Sequence, residues 1–137
     1  MIVQYIALLR GINVGGKNII KMTDLKTCFE DMGFTDVTTY IQSGNVLFGS
    51  SGNDSTGLTP IIEKALSVSF NYTARVVIVE GSQLAKNVRE APPGFGQNMD
   101  MYRYDVLFLR PEFMASEVIK MISTKVGVDT AHAGDGV

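Results

Sequence analysis

The sequence predicts an α+β fold in which helices pack on one face of a single sheet. Two patterns predict it. Short β-branched and apolar runs alternate with segments whose apolar residues recur at helical spacing. Of 137 residues, 45% are apolar and 19% charged, enough for a packed core and too apolar for a disordered chain.

The elements follow in order. Val3 to Arg10 is nearly apolar throughout and reads as a strand covered on both faces. A glycine-rich loop, Gly11 to Asn18, comes next. Leu25, Cys28, Phe29 and Met32 then fall at i, i+3, i+4 and i+7, a helix with Thr23 as N-cap and Gly33 as its left-handed stop. Val37 to Gln42 and Val46 to Phe48 are strands joined through Ser43-Gly44-Asn45, a hairpin turn. Residues 49–57 carry no large apolar side chain and read as an exposed loop. Thr59-Pro60 opens a second helix, with Ile61, Ile62, Ala65, Leu66 and Phe70 as its buried stripe. Arg75 to Val79 is a fourth strand. Residues 1–79 thus read β-α-β-β-α-β, a ferredoxin-like subdomain.

Residues 80–137 read as a second, incomplete αβ subdomain. Ser82 caps a helix through Arg89, and Pro92-Pro93-Gly94 stops it. Asp105 to Arg110 is expected as a strand, with Leu107 and Leu109 or Val106 and Phe108 buried in a shared core. A helix then follows on Ala115, Val118, Ile119, Ile122 and Val126. Met99, Met101, Met114 and Met121 are expected to fill gaps in this half's core. The chain ends without closing the second unit, as a truncated subdomain would.

Composition bounds the function. The 12 Lys and Arg against 14 Asp and Glu give a net charge of -2, which argues against a generic polyanion binder. One Cys and one His exclude a disulfide framework and a Cys/His zinc cage, so no metal ligand is assigned. The apolar run Tyr5 to Leu9 is far short of the roughly 20 residues a spanning helix needs. No signal peptide is recognisable, and the expected address is cytoplasmic.

In the β-α-β-β-α-β order the C-terminal ends of the first and second strands share one sheet edge. The loop 10–18 and the turn 42–45 are expected to meet there and to form a concave anion-binding site from Arg10, Asn13, Gly15, Gly16, Lys17, Asn18, Gln42, Ser43 and Asn45. Gly11 to Lys17 satisfies G-x-x-x-x-G-K, the phosphate-loop pattern. Asn18 replaces the Ser or Thr that would hold Mg²⁺, however, and Ile19 to Met22 separate the loop from the helix cap, which argues against nucleotide hydrolysis. Neither the loop 10–18 nor the turn 42–45 contains His, Asp, Glu or Cys to act as a general base, so no catalytic residue is assigned and binding ranks above catalysis. Cys28 reads as a buried structural thiol. Tyr5 and Phe48 invite comparison with base-stacking sheets, but burial is their more ordinary fate.

The blocks Leu8-Leu9-Arg10-Gly11-Ile12-Asn13-Val14-Gly15-Gly16-Lys17-Asn18 and Thr39-Tyr40-Ile41-Gln42-Ser43-Gly44-Asn45-Val46, with Met22 and Leu25 between them, closely resemble the signature of the bacterial family known as domain of unknown function 1697. A weaker resemblance runs through Arg75–Val79, the helix around Leu84 and Val106–Leu109. It implies paired ferredoxin-like subdomains, with members continuing past a stretch like 134–136 into further strands and a segment rich in Thr, Arg and Asn. It implies no activity, cofactor or catalytic residue. The expected function is therefore an uncharacterised cytoplasmic domain binding a small anion, a nucleotide or phosphorylated metabolite. A nucleic-acid-binding or protein-interaction module without small ligand or catalysis is the competing reading. No membrane partner is expected, and no oligomeric state follows.

Overall fold

The computed structural model describes residues 2–41, 44–51, 55–110, 112–125 and 128–137, with backbone alone for Ser55 and Thr56. It is α+β. Four strands, β1 (Val3–Leu9), β2 (Thr35–Tyr40), β3 (Asn45–Ser50) and β4 (Val76–Glu80), form one sheet in the order β2-β3-β1-β4. Every neighbouring pair is antiparallel. Helix α1 (Met22–Asp31) connects β1 to β2, and α2 (Ser55–Phe70) connects β3 to β4.

Side-chain alternation along each strand decides what the sheet buries. Tyr5, Ala7 and Leu9 of β1, Val46 and Phe48 of β3, Val37 of β2 and Val76 of β4 belong to one core cluster. Leu25, Cys28 and Phe29 of α1 and Leu58, Ile62 and Leu66 of α2 complete it. Tyr5 stacks on Phe48 with ring centroids 5.6 Å apart, and Phe29 meets the same ring at 5.4 Å. Both strand aromatics are therefore core residues.

Three helix starts differ from the sequence reading, one of them that of the helix Gly81–Arg89, which holds the expected cap Ser82 inside it. Helix α1 begins at Met22, with Lys21 as an N-cap that makes no side-chain bond, so Thr23 lies inside the first turn; its carbonyl accepts the Thr27 hydroxyl at 3.0 Å. Gly33 does end the helix with φ +90°, its N–H bonding Glu30 O at 2.9 Å. Helix α2 begins at Ser55, which places Pro60 inside it. Burial explains this extension. Leu58 is 2% exposed and prolongs the stripe of Ile62 and Leu66 by one turn, whereas Ile61 faces solvent at 46%.

The chain divides into two compact units, Met1–Leu84 and Ala85–Val137. Helix α3 (Gly81–Arg89) crosses the division. In the second unit α4 (Ala115–Val118) and a 3₁₀ turn (Ile119–Met121) replace the longer helix read from the sequence; Val126 lies outside the described residues. Asp105–Arg110 is not a strand. A strand is completed by a neighbour's backbone groups, and here Leu109 N–H bonds Gly136 O at 2.8 Å while Arg110 O accepts the nearby Phe113 N–H at 3.0 Å, with no ladder formed. Val106 and Leu107 are exposed, and Phe108 and Leu109 half-buried, so neither expected pair is buried. The methionines expected in this core face solvent as well, from 67% exposed at Met114 to 77% at Met99. The unit is held instead by local contacts, among them the Phe95–Tyr104 ring pair at 4.9 Å and the Lys86–Asp135 ion pair at 2.6 Å. Among the described residues no helix is long and apolar enough to cross a membrane.

Candidate functional site

Antiparallel pairing gathers four chain segments at one end of the sheet. Leu9 pairs with Val76 and Leu8 with Asn45, while Tyr40 pairs with Asn45. The C-terminal ends of β1 and β2 thus lie beside the N-terminal ends of β3 and β4. Two bonds carry the ladders past the strand ends: Leu9 N–H to Gly44 O at 2.8 Å, and Arg10 N–H to Arg75 O at 3.1 Å.

The glycine-rich loop folds into a small hairpin at this end. Asn13 N–H bonds Asn18 O at 3.1 Å, and Lys17 N–H bonds Val14 O at 3.0 Å. Gly15 and Gly16 form its two-residue tip with φ of +59° and +74°, the left-handed pair that a type I′ turn requires. Asn13 and Asn18 are left-handed too, at φ +54° and +50°. Their side chains hold the loop closed. Asn13 Nδ2 donates to Ile20 O at 3.0 Å while its Oδ1 accepts Ile20 N–H at 2.8 Å, and Asn18 Nδ2 donates to Gly11 O at 3.0 Å. Ile12 and Ile20, both buried, root the loop in the core. The hairpin stands between β1 and α1, so no helix N-terminus opens directly from the glycines, as a phosphate loop would require.

Gly44, just before β3, packs against this root. Gly44 has φ +93°, and a Cβ there would lie 2.7 Å from Ile12 Cδ1 and 2.9 Å from Leu9 Cβ. Asn45 Nδ2 donates to Tyr40 O at 3.1 Å. Gln42 and Ser43, assigned to the site by sequence, lie outside the described residues.

Of the assigned residues, Asn13, Asn18 and Asn45 therefore spend amide groups on the loops themselves. Arg10 and Lys17 are exposed, and neither is ion-paired among the described residues. The Gly15 and Gly16 N–H groups have no partner there. The structure adds Arg75, an exposed residue that the sequence reading placed in a strand without a role at the site. Its signal was register: the residue before β4 must face the residue after β1. Arg75 Nη1 donates to Ala74 O at 3.0 Å.

This end offers donors and positive charge, and the carboxylate that reaches it is Glu63, whose Oε2 accepts the Val76 N–H at 3.0 Å. The perturbed thiol and phenol are those of Cys28 and Tyr72. Burial pushes the Cys28 thiol up, its bond to Ser69 Oγ opposing at 3.6 Å. Burial likewise raises Tyr72, with Cys28 and Glu63 adding to the shift. A raised thiol pKa leaves less thiolate at neutral pH, so Cys28 is a poor nucleophile. No group of three or more His, Cys, Asp or Glu among the described residues could hold a metal ion. An open depression of about 460 Å³ lies in the second unit, lined by the continuous segment Met99–Tyr104.

A solved structure of a conserved bacterial protein from Streptococcus pneumoniae is similar to this chain, with a TM-score of 0.76 and 27% identity over 88% of the chain. The chain spans 66% of that protein's length. No protein of curated function matches the sequence. The family profile described as protein of unknown function (DUF1697) matches residues 2–137, and the chain belongs to that family.

Proposed function

We propose that the first unit is a ferredoxin-like domain, cytoplasmic and without catalytic machinery, that binds a small anion at the sheet end where residues 10–18 meet Gly44, Asn45 and Arg75. The element order β-α-β-β-α-β and the strand order β2-β3-β1-β4 support the fold assignment. One observation carries the ligand assignment. The β1–β4 ladder sets Arg10 beside Arg75 through a 3.1 Å backbone bond, and neither is ion-paired among the described residues. The backbone bond sets the two residues side by side, and a guanidinium group holds a phosphate or carboxylate through bidentate bonds. The Gly15–Gly16 tip adds backbone N–H donors, and Lys17 a point charge.

A thermal-shift panel of nucleotides and phosphorylated metabolites tests this reading on the full chain. A ligand that binds only the folded state raises the melting temperature, and the stabilisation grows as RT ln(1 + L/Kd), where L is the free ligand concentration. Arg10→Ala and Arg75→Ala should each abolish most of the shift, at about 1–3 kcal/mol per lost charge-assisted bond. No shift with any anion at millimolar concentration contradicts the reading, as does a shift that both variants retain.

A further inference from the structure

We infer that the anion bound at this end carries a planar ring, a mononucleotide being the fitting class, and that it lies on the sheet face opposite the helices. The inference rests on the anion-site reading above and specifies its ligand.

Alternation fixes the face. Tyr5, Ala7 and Leu9 point to the helices, so Gln4, Ile6, Leu8 and, one step past the strand, Arg10 take the other side. Across the ladders, Leu8 is opposite Val77 on one side and Asn45 on the other, and Asn45 is opposite Tyr40. Arg75 pairs with Arg10 and shares the alternation of Val77. Arg10, Arg75, Leu8, Asn45 and Tyr40 therefore meet on one surface. Part of that surface is apolar and open: Tyr40 is 65% exposed and Leu47, one ladder step from it, 40%.

Tyr40 stands two strands from β1 and three from β4, roughly 10 and 15 Å across the sheet, and Arg10 and Arg75 lie roughly 7 Å further along the strand direction. Long arginine side chains shorten that gap to one a nucleoside phosphate bridges, its phosphate on the guanidinium pair and its base on the Tyr40 ring. Stacking supplies sequence-tolerant affinity because every base presents a π face. Charge selects the occupant: an uncharged aromatic leaves the arginine pair unneutralised, and inorganic phosphate leaves the tyrosine and leucine in water.

Calorimetric titration of the full chain with AMP, inorganic phosphate, adenosine and a single-stranded octanucleotide, repeated on Tyr40→Ala, Tyr40→Phe and Arg75→Ala, decides it. AMP should bind more tightly than phosphate, lose about tenfold in affinity with Tyr40→Ala and keep it with Tyr40→Phe. Arg75→Ala should weaken AMP and phosphate alike. Phosphate binding that Arg75→Ala removes, with AMP no tighter and Tyr40→Ala silent, overturns the ring inference and leaves the anion site standing. Absence of binding by AMP and phosphate overturns both. Octanucleotide affinity far above that of AMP, falling steeply with salt, replaces the mononucleotide with a nucleic-acid strand.

Discussion

Asn13 does two jobs at one position. It adopts a left-handed backbone that few residues tolerate, and its amide reproduces a backbone pair with Ile20, donating at 3.0 Å and accepting at 2.8 Å. Asn13→Ala removes both bonds and should cost about 1–3 kcal/mol in urea denaturation. Lys17→Ala, at an exposed hairpin position, should stay within about 0.5 kcal/mol. Equal losses from the two would contradict the division between clamp and ligand-facing residues. Gly44 is a sharper case, because a methyl group there meets Ile12 and Leu9 within 3 Å on a backbone already at φ +93°. Gly44→Ala should destabilise by about 1–3 kcal/mol or more. The Cys28 thiol and Tyr72 phenol set an alkaline limit. Both are raised in the folded state, chiefly by burial. The unfolded chain therefore releases these protons first, and folding stability is full below the ordinary thiol value of 9.0 and falls as pH rises past it. Denaturation midpoints that stay level from pH 8 to 10.5 would contradict this.

At the scale of elements, the sequence was legible where one period dominated. The α1 stripe of Leu25, Cys28 and Phe29 is buried as its spacing implies, and of the run read as the first strand Val3–Leu9 is strand, with Arg10 just past its end. Helix α2 shows why its start was misread. Thr59-Pro60 is a strong local start signal, yet burying Leu58 outweighs the backbone bond that Pro60 forfeits. Leu58→Ala should cost about 2–5 kcal/mol, and Ile61→Ala, at a solvent-facing position, well under half of that. The reverse order in chemical denaturation would restore the later start. Asp105–Arg110 was misread for a different reason. Its β-branched and apolar composition describes a strand, but pairing is a property of two segments, and composition reports only one. The part of the site carried by Arg75 was hidden for the same cause, since only the β1–β4 register sets it beside Arg10.

Across the whole molecule, net charge conceals the local field. The chain carries -2, while Arg10, Lys17 and Arg75 gather at one sheet end with no ion pair among the described residues. The acidic groups that balance them include Asp135, Glu90, Asp105, Glu112 and Glu117, which pair with bases of the second unit. The antiparallel sheet explains the gathering: it brings the ends of β1 and β2 and the starts of β3 and β4 to one edge, whatever the overall composition. Backbone amide NMR during a titration with AMP tests this most directly. The account predicts that the largest saturable shifts fall on Arg10, Gly15, Gly16, Lys17 and Arg75. Shifts centred on Met99–Tyr104, or none at this sheet end at saturating ligand, would contradict it.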